Sequence, residues 1–162
     1  MSYQTHLTLR TNRQAGFQSV SEIDSVVQNY KYISARFYAR VLGSEGACAG
    51  MFTYRAPTTS KRSMSSNYAQ RFSFREHSTL GNVQEADIEI LTSGPRNMVQ
   101  YTNQPSNLPN GNILAQATAN ETMPANVDWS VWNEYRLDWT KGKSEWYVNG
   151  VKQVSEPLSS WV

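Results

Sequence analysis

The sequence predicts an all-β fold, an antiparallel sandwich or barrel. Apolar and polar residues alternate in many short segments, and short polar turns separate these segments. No stretch shows convincing helical periodicity. The chain has 162 residues, the size of one ordinary domain, and is long enough to bury a core. We therefore expect a single β domain over residues 1–162.

The predicted strands follow one another along the whole chain. In residues 33–41, the apolar set that includes Phe37 occupies every second position, so it shares one face of a strand. Pro57 ends the next strand, and loops are predicted at 58–67 and at the Asn- and Pro-rich 103–112. The complete set of predicted strands is 7–9, 33–41, 50–55, 71–75, 83–91, 98–102, 133–140, 144–148 and 151–154.

The strongest local signal is a hairpin near the end of the chain. Lys141-Gly142-Lys143 turns the chain between two alternating segments. Asn149-Gly150 then predicts a two-residue turn, because both residues tolerate the positive φ angles that such turns require.

Composition excludes several classes of partner. Charged residues make up 17% of the chain, below the usual share of about 25%. The net charge of +2 is too small to indicate a nucleic acid or an anionic membrane as partner. No apolar run approaches transmembrane length. A polar but weakly charged surface is typical of an extracellular protein with neutral, hydroxyl-rich partners, so we expect secretion or a cell-wall location. No signal peptide begins at Met1, so either the chain is cytosolic or this sequence omits the signal.

The cysteine and the histidines of the chain do not indicate a catalytic or metal-binding site. Cys48 is the one cysteine, so no internal disulfide can form, and its small neighbours predict a buried, inert thiol. His6 and His77 lack metal-ligand spacing. Asn120-Glu121-Thr122 is a glycosylation sequon, usable only in a eukaryotic secreted context.

Three acidic residues stand at alternate positions of one predicted strand. Glu85, Asp87 and Glu89 share a face, while Ala86 and Ile88 take the opposite face and pack on a core. Like charges side by side on a strand repel, which a chain tolerates where carboxylates carry out chemistry. Two other interpretations stay open: a solvated acidic strand face, and a calcium site.

Paired carboxyl groups are the machinery of glycoside hydrolysis. One acts as acid and the other as nucleophile or base, and retention of configuration requires a separation of about 5–5.5 Å. Residues four apart on a strand have Cα atoms roughly 13 Å apart. Long glutamate side chains that lean together can close much of that gap, so the spacing permits retention. Asp87, between the glutamates, would couple their titrations and share a proton.

The surrounding segments resemble glycoside hydrolase family 16, especially its lichenase-like branch. The triplet matches the family's Glu-x-Asp-x-Glu strand, and residues 50–57 look like its Gly-Phe-Phe-Thr-Tyr-x-x-Pro strand. Residues 99–103 resemble a compressed form of its Val-Gln-Phe-Asn-Tyr-Tyr-Thr-Asn stretch. Residues 135–139 and 146–150 match its Phe-Asp-Trp and Trp-Tyr-Val-Asp-Gly segments. Five blocks in the family's order are far more specific than the triplet alone.

The resemblance implies a jelly-roll sandwich of two curved antiparallel sheets that binds a β-glucan. It implies that Glu85 is the nucleophile, Asp87 the assisting carboxylate and Glu89 the acid/base. Substrate-binding candidates, several of which also suit a core position, are Phe52, Tyr54, Arg36, Gln100, Tyr101, Asn103 and Trp132. No cofactor is implied; a structural calcium ion occurs in the family, but no ligand set for it is readable here.

This sequence differs from the family pattern at several positions. Ser34 stands where the family often has a substrate-contacting Glu, and only about a dozen residues follow the Trp146–Gly150 block where the family has roughly fifty. We therefore expect the domain to be incomplete at both ends. Three functions stay open: a retaining endo-β-glucanase for β-1,3-1,4 or β-1,3 linkages, a glucan or chitin-glucan transglycosylase, and a non-catalytic lectin-like module.

Overall fold

Antiparallel β-strands make up nearly all the regular structure of the chain. The computed structural model describes residues 5–27, 30–55, 84–108 and 110–157. Across these residues it contains ten strands and one three-residue 3-10 helix, Ala115–Ala117. The expected all-β class is therefore confirmed. By its internal contacts the chain forms two units, residues 1–31 and 32–162.

The first unit contains one small hairpin. β1 (Arg13–Gln14) pairs with β2 (Phe17–Gln18), and Gly16, with φ of 91°, makes the turn between them. The strand predicted at 7–9 is wrong. Leu7 and Leu9 are both exposed, and in the part of the chain that the structure describes they pair with no strand.

Four strands of the second unit form what we call the hairpin sheet. They are β3 (Ile33–Ala39), β8 (Asn133–Thr140), β9 (Lys143–Val148) and β10 (Val151–Pro157). Their order is β10-β9-β8-β3, and every neighbouring pair is antiparallel.

The other four strands form what we call the acidic sheet. They are β4 (Cys48–Arg55), β5 (Gln84–Leu91), β6 (Met98–Asn103) and β7 (Thr118–Thr122), in the order β4-β5-β6-β7. All its pairs are antiparallel as well. The two sheets are compatible with a β-sandwich, and the jelly-roll path stays a prediction.

One hydrophobic core takes side chains from both sheets. Ile88 and Tyr101 of the acidic sheet and Leu137 and Trp146 of the hairpin sheet are completely buried in the same cluster. Each such side chain contributes about 1.5–3 kcal/mol by leaving water. Because side chains alternate along a strand, each sheet has an inner face toward this core and an outer face away from it.

The predicted turn at Asn149-Gly150 is confirmed. Both residues have positive φ angles, 49° and 79°, as a type I′ turn requires. The Asn149 side chain accepts a hydrogen bond from the Glu134 backbone N–H at 3.0 Å and donates one to Asn133 at 2.9 Å. The turn is therefore tied to the start of β8.

Candidate active site

The acidic triplet lies on the outer face of the acidic sheet, in the middle of β5. Ala86, Ile88 and Ile90 face the core and are at most 1% exposed, as the alternation predicts. Directly paired residues of neighbouring strands share a face. On β4 the partners of the triplet are Tyr54 for Glu85, Phe52 for Asp87 and Gly50 for Glu89.

Strands β6 and β7 extend the same surface on the other side of β5. Thr102 lies opposite Asp87, and Gln100 lies opposite Glu89. One strand farther out, Thr118 pairs with Thr102 and Asn120 pairs with Gln100. The Thr102 and Thr118 hydroxyls are 3.2 Å apart and hydrogen-bonded. The carboxylates are thus flanked by aromatic residues on one side and by neutral hydrogen-bonding residues on the other.

Asp87 is the most buried member of the triplet, with 7% of its surface exposed. Burial raises its pKa to about 9, with further contributions from the negative charges of Glu85 and Glu89 and from a hydrogen bond with Glu85. Asp87 is therefore protonated at neutral pH. In that form its hydroxyl can donate a hydrogen bond to the Glu85 carboxylate.

Two neighbours hold the carboxylate of Glu89. The Gln100 amide donates from Nε2 to Oε2 at 2.7 Å. The Cys48 thiol lies 3.8 Å from Oε1, as a weak donor. Both oxygens of Glu89 thus have defined partners, one strong and one weak, and Oε1 is the oxygen that is easier to release for chemistry.

Cys48 is exposed, which corrects the expectation of a buried thiol. It pairs with Leu91 at the outer end of β4, on the same face as Glu89. Loss of water around the sulfur, together with the charge and hydrogen bond of Glu89, raises the pKa of the thiol to about 11. The thiol therefore stays protonated and is a poor nucleophile at neutral pH, as predicted.

Phe52 and Tyr54, two of the predicted substrate-binding residues, lie beside the triplet. Their side chains are 38% and 52% exposed on the outer face beside the triplet. Gly50 carries no side chain opposite Glu89, and the Phe52 ring leans toward this space: a Cβ on Gly50 would be 3.6 Å from Phe52 Cδ1. Exposed aromatic surface therefore lies next to two of the three carboxyl groups.

Tyr101 and Asn103 lie on the opposite face of the acidic sheet from the triplet. They pair with Ile88 and Ala86, so both side chains point into the core. Tyr101 is completely buried and packs against Trp146 at 5.7 Å between ring centres. These two candidates therefore cannot reach a substrate held by Glu85 and Glu89, and the proposed site does not include them.

Arg36 lies on β3 of the hairpin sheet and Trp132 lies just before β8, also away from the triplet. Arg36 pairs with Arg136 on the outer face, and its side chain lies 3.9 Å from Glu134. Trp132 stacks on Tyr38, two residues along β3 from Arg36. The core lies between these residues and the outer face of the acidic sheet, which carries the triplet and which we call the acidic face. The expected cluster of all seven substrate-binding candidates therefore does not form. Phe52, Tyr54 and Gln100 are the three that join the triplet.

The sequence interpretation missed Thr102 and the contact of Cys48 with Glu89. Once Gln100 is assigned to the acidic face, the alternation of side chains along β6 places Thr102 on the same face, because the two residues are two positions apart. The same alternation along β4 places Cys48 on the face of Gly50, which lies opposite Glu89.

Within residues 5–27, 30–55, 84–108 and 110–157, no group of three or more His, Cys, Asp or Glu side chains is arranged to hold a metal ion. Over the same residues, no helix is long and apolar enough to cross a membrane. No family model, curated protein or solved structure matches the chain.

Proposed function

We propose that this protein is a retaining endo-β-glucan hydrolase of the glycoside hydrolase family 16 type. One observation carries the proposal: a buried Asp87 stands between two partly exposed glutamates on the same face of one strand, and its burial raises its pKa. Separate environments for neighbouring carboxyl groups are how such sites divide the acid and nucleophile roles. The five sequence blocks that resemble the family support the same function.

Glu85 is the nucleophile in this proposal. Its carboxylate attacks the anomeric carbon of a glucan unit and forms a glycosyl-enzyme ester, while the bond to the leaving oxygen breaks. Asp87 donates a hydrogen bond to Glu85 and, being neutral, adds no further negative charge beside it. As the ester forms, Asp87 keeps the other Glu85 oxygen oriented.

Glu89 is the acid and then the base. It gives its proton to the leaving glycosidic oxygen, and afterwards removes a proton from the water that attacks the ester. The Gln100 amide holds Oε2, which leaves Oε1 to exchange protons with the substrate. Phe52 and Tyr54 provide aromatic faces on which neighbouring sugar rings stack.

The test uses lichenan, laminarin and a labelled gluco-oligosaccharide acceptor. We expect new reducing ends from the unmodified protein, and loss of roughly 10²–10⁴ in kcat for Glu89→Gln. Glu85→Gln should abolish turnover, and Glu22→Gln, an exposed residue in the other unit, is the matched control. Elongated labelled products would show transfer to sugar in place of hydrolysis. Binding without either product would show a lectin, and activity that survives Glu85→Gln would refute the assignment of the nucleophile.

A further inference from the structure

We propose a second saccharide-binding site on the outer face of the hairpin sheet, built from Tyr38, Trp132 and Arg40 and bordered by Arg36 and Glu134. We call it the aromatic platform. It holds a β-glucan chain without cleaving it, and the choice of β-glucan rests on the proposed function. The existence of a sugar site there rests on the geometry alone.

The platform begins with two stacked rings. The centres of Tyr38 and Trp132 are 5.3 Å apart, and their planes differ by 13°. Tyr38 is 70% exposed and Trp132 is 36% exposed. Together the two rings present an exposed aromatic surface beside the outer face of the hairpin sheet. Since Trp132 covers one face of Tyr38 at most, this exposure leaves an aromatic face open to a ligand.

Charged groups adjoin the rings and provide both donors and acceptors. The Arg40 guanidinium lies 5.2 Å from the centre of the Trp132 ring, where it stabilises the indole face. Glu134 pairs directly with Tyr38 across β3 and β8, and its carboxylate lies 3.9 Å from Arg36. A β-linked glucose unit has apolar C–H faces and a rim of hydroxyl groups. It therefore matches an aromatic face bordered by a guanidinium donor and a carboxylate acceptor.

A single-stranded nucleic acid would also stack on aromatic rings, but the charges favour the sugar. Nucleic acids need a groove of free positive charge for their phosphates. Here Arg36 lies 3.9 Å from Glu134, Arg136 pairs with Asp138 at 3.3 Å, and Arg40 lies over Trp132, so each of these cations already has a partner. A neutral ligand does not require free positive charge.

The position of the platform suggests what it does. The core separates it from the acidic face, so an occupant of the platform does not block Glu85 or Glu89. A polysaccharide long enough to reach both faces, or a second chain of an insoluble glucan, would be held near the active site. Such attachment raises the effective concentration of a polymer and not that of a short oligosaccharide.

The experiment measures binding and hydrolysis separately. Binding of the intact Glu85→Gln protein to insoluble β-glucan is measured by sedimentation, with and without Tyr38→Ala. Phe17→Ala is the control, because Phe17 is an aromatic residue of the other unit with a similar exposure of 64%. We expect Tyr38→Ala to weaken binding roughly tenfold, as the loss of one stacking contact predicts. Trp132→Phe keeps a ring and should restore much of the binding that Trp132→Ala loses.

In otherwise unmodified protein, Tyr38→Ala should slow hydrolysis of insoluble glucan and leave hydrolysis of a soluble gluco-tetrasaccharide unchanged. Unchanged glucan binding by folded Tyr38→Ala would overturn the platform, as would platform-dependent binding of oligo-dT in place of glucan. If glucan binding depends on Tyr38 but no variant or parent protein hydrolyses any glucan, the proposed function fails and the platform stands.

Discussion

Burial moves the pKa of Asp87 far above its ordinary value. Its folded-state pKa is raised above the unfolded value, so the folded state binds a proton that the unfolded state has already lost near neutral pH. The stability that Asp87 contributes is complete below about pH 4. It is lost as pH rises toward its folded pKa of about 9. We therefore expect the free energy of unfolding to fall with rising pH over this window.

Asp87→Asn should remove much of that dependence. The amide is neutral, has nearly the same shape and can still donate a hydrogen bond to Glu85. Urea unfolding at a series of pH values should show that the free energy of unfolding of the variant rises relative to that of the parent protein between pH 5 and pH 8. At pH 8 the variant should have the higher free energy of unfolding. Glu22→Gln should follow the parent curve. Parallel curves for Asp87→Asn and the parent would mean that Asp87 ionises normally in the fold.

Gln100 is expected to act through Glu89. A hydrogen bond to a charged group contributes about 1.5–3 kcal/mol, so Gln100→Leu should lower kcat by roughly 10–100-fold. KM should change little if Gln100 contacts Glu89 rather than the sugar. Asn120→Ala is the matched control, because Asn120 lies on the same face one strand farther from Glu89. Equal effects of the two substitutions on kcat would mean that Gln100 does not position Glu89.

Cys48 offers a chemical probe of the same carboxylate. The raised pKa of the thiol predicts slow alkylation by iodoacetamide at pH 7 and faster reaction as pH approaches 11. The added group would stand beside Glu89 and block it, so activity should fall in step with labelling. Cys48→Ala should keep activity and resist the reagent. If fully labelled parent protein retained activity, Glu89 could not be the acid/base.

At the scale of elements, local sequence patterns predicted the structure correctly wherever strands that follow each other in sequence also lie next to each other in a sheet. The alternation in β5 and the Asn149-Gly150 turn were predictable for that reason. β7 was missed because Thr118–Thr122 is a mostly polar edge strand with little apolar alternation. The pairing of β3 with β8 joins residues about a hundred positions apart, such as Ser34 and Asp138, and no local pattern specifies it. The strand predicted at 71–75 and the loop predicted at 58–67 lie outside the described residues.

The hairpin turn gives a prediction for stability. Gly150 has φ of 79°, which an L residue with a Cβ adopts at a cost of about 1–2 kcal/mol. Gly150→Ala should therefore lower the free energy of unfolding by about that amount in urea titrations. Lys141→Ala, in the exposed turn before β9, should change it by less than about 0.5 kcal/mol. A Gly150→Ala protein as stable as its parent would contradict the turn geometry.

At the scale of the whole molecule, sheet membership decided which candidate residues meet. Arg36, Trp132 and Tyr101 were plausible from sequence, but side-chain direction depends on which sheet a strand joins and which face is covered. Phe52, Tyr54 and Gln100 could be placed because their strands are direct neighbours of β5. Assembly of the two sheets around one core therefore places the proposed active site and the proposed aromatic platform on different sheets.

The buried core shows which part of the chain contributes most to its stability. Every buried hydrophobic residue of the described ranges lies between Ala86 and Val148, and none lies in residues 5–27. Deletion of residues 1–31 should thus leave a cooperative thermal transition within a few degrees of that of the full chain. A shortened protein that shows no cooperative transition would mean that the first unit is needed for folding.

The configuration of the first product tests the central claim most directly. Proton NMR during the first minutes of lichenan or laminarin hydrolysis distinguishes the two anomers of the new reducing end before they interconvert. Attack by Glu85 and then by water inverts the anomeric carbon twice, so the β-anomer should form first. Initial formation of the α-anomer would mean a single displacement by water, and Glu85 would then not be the nucleophile.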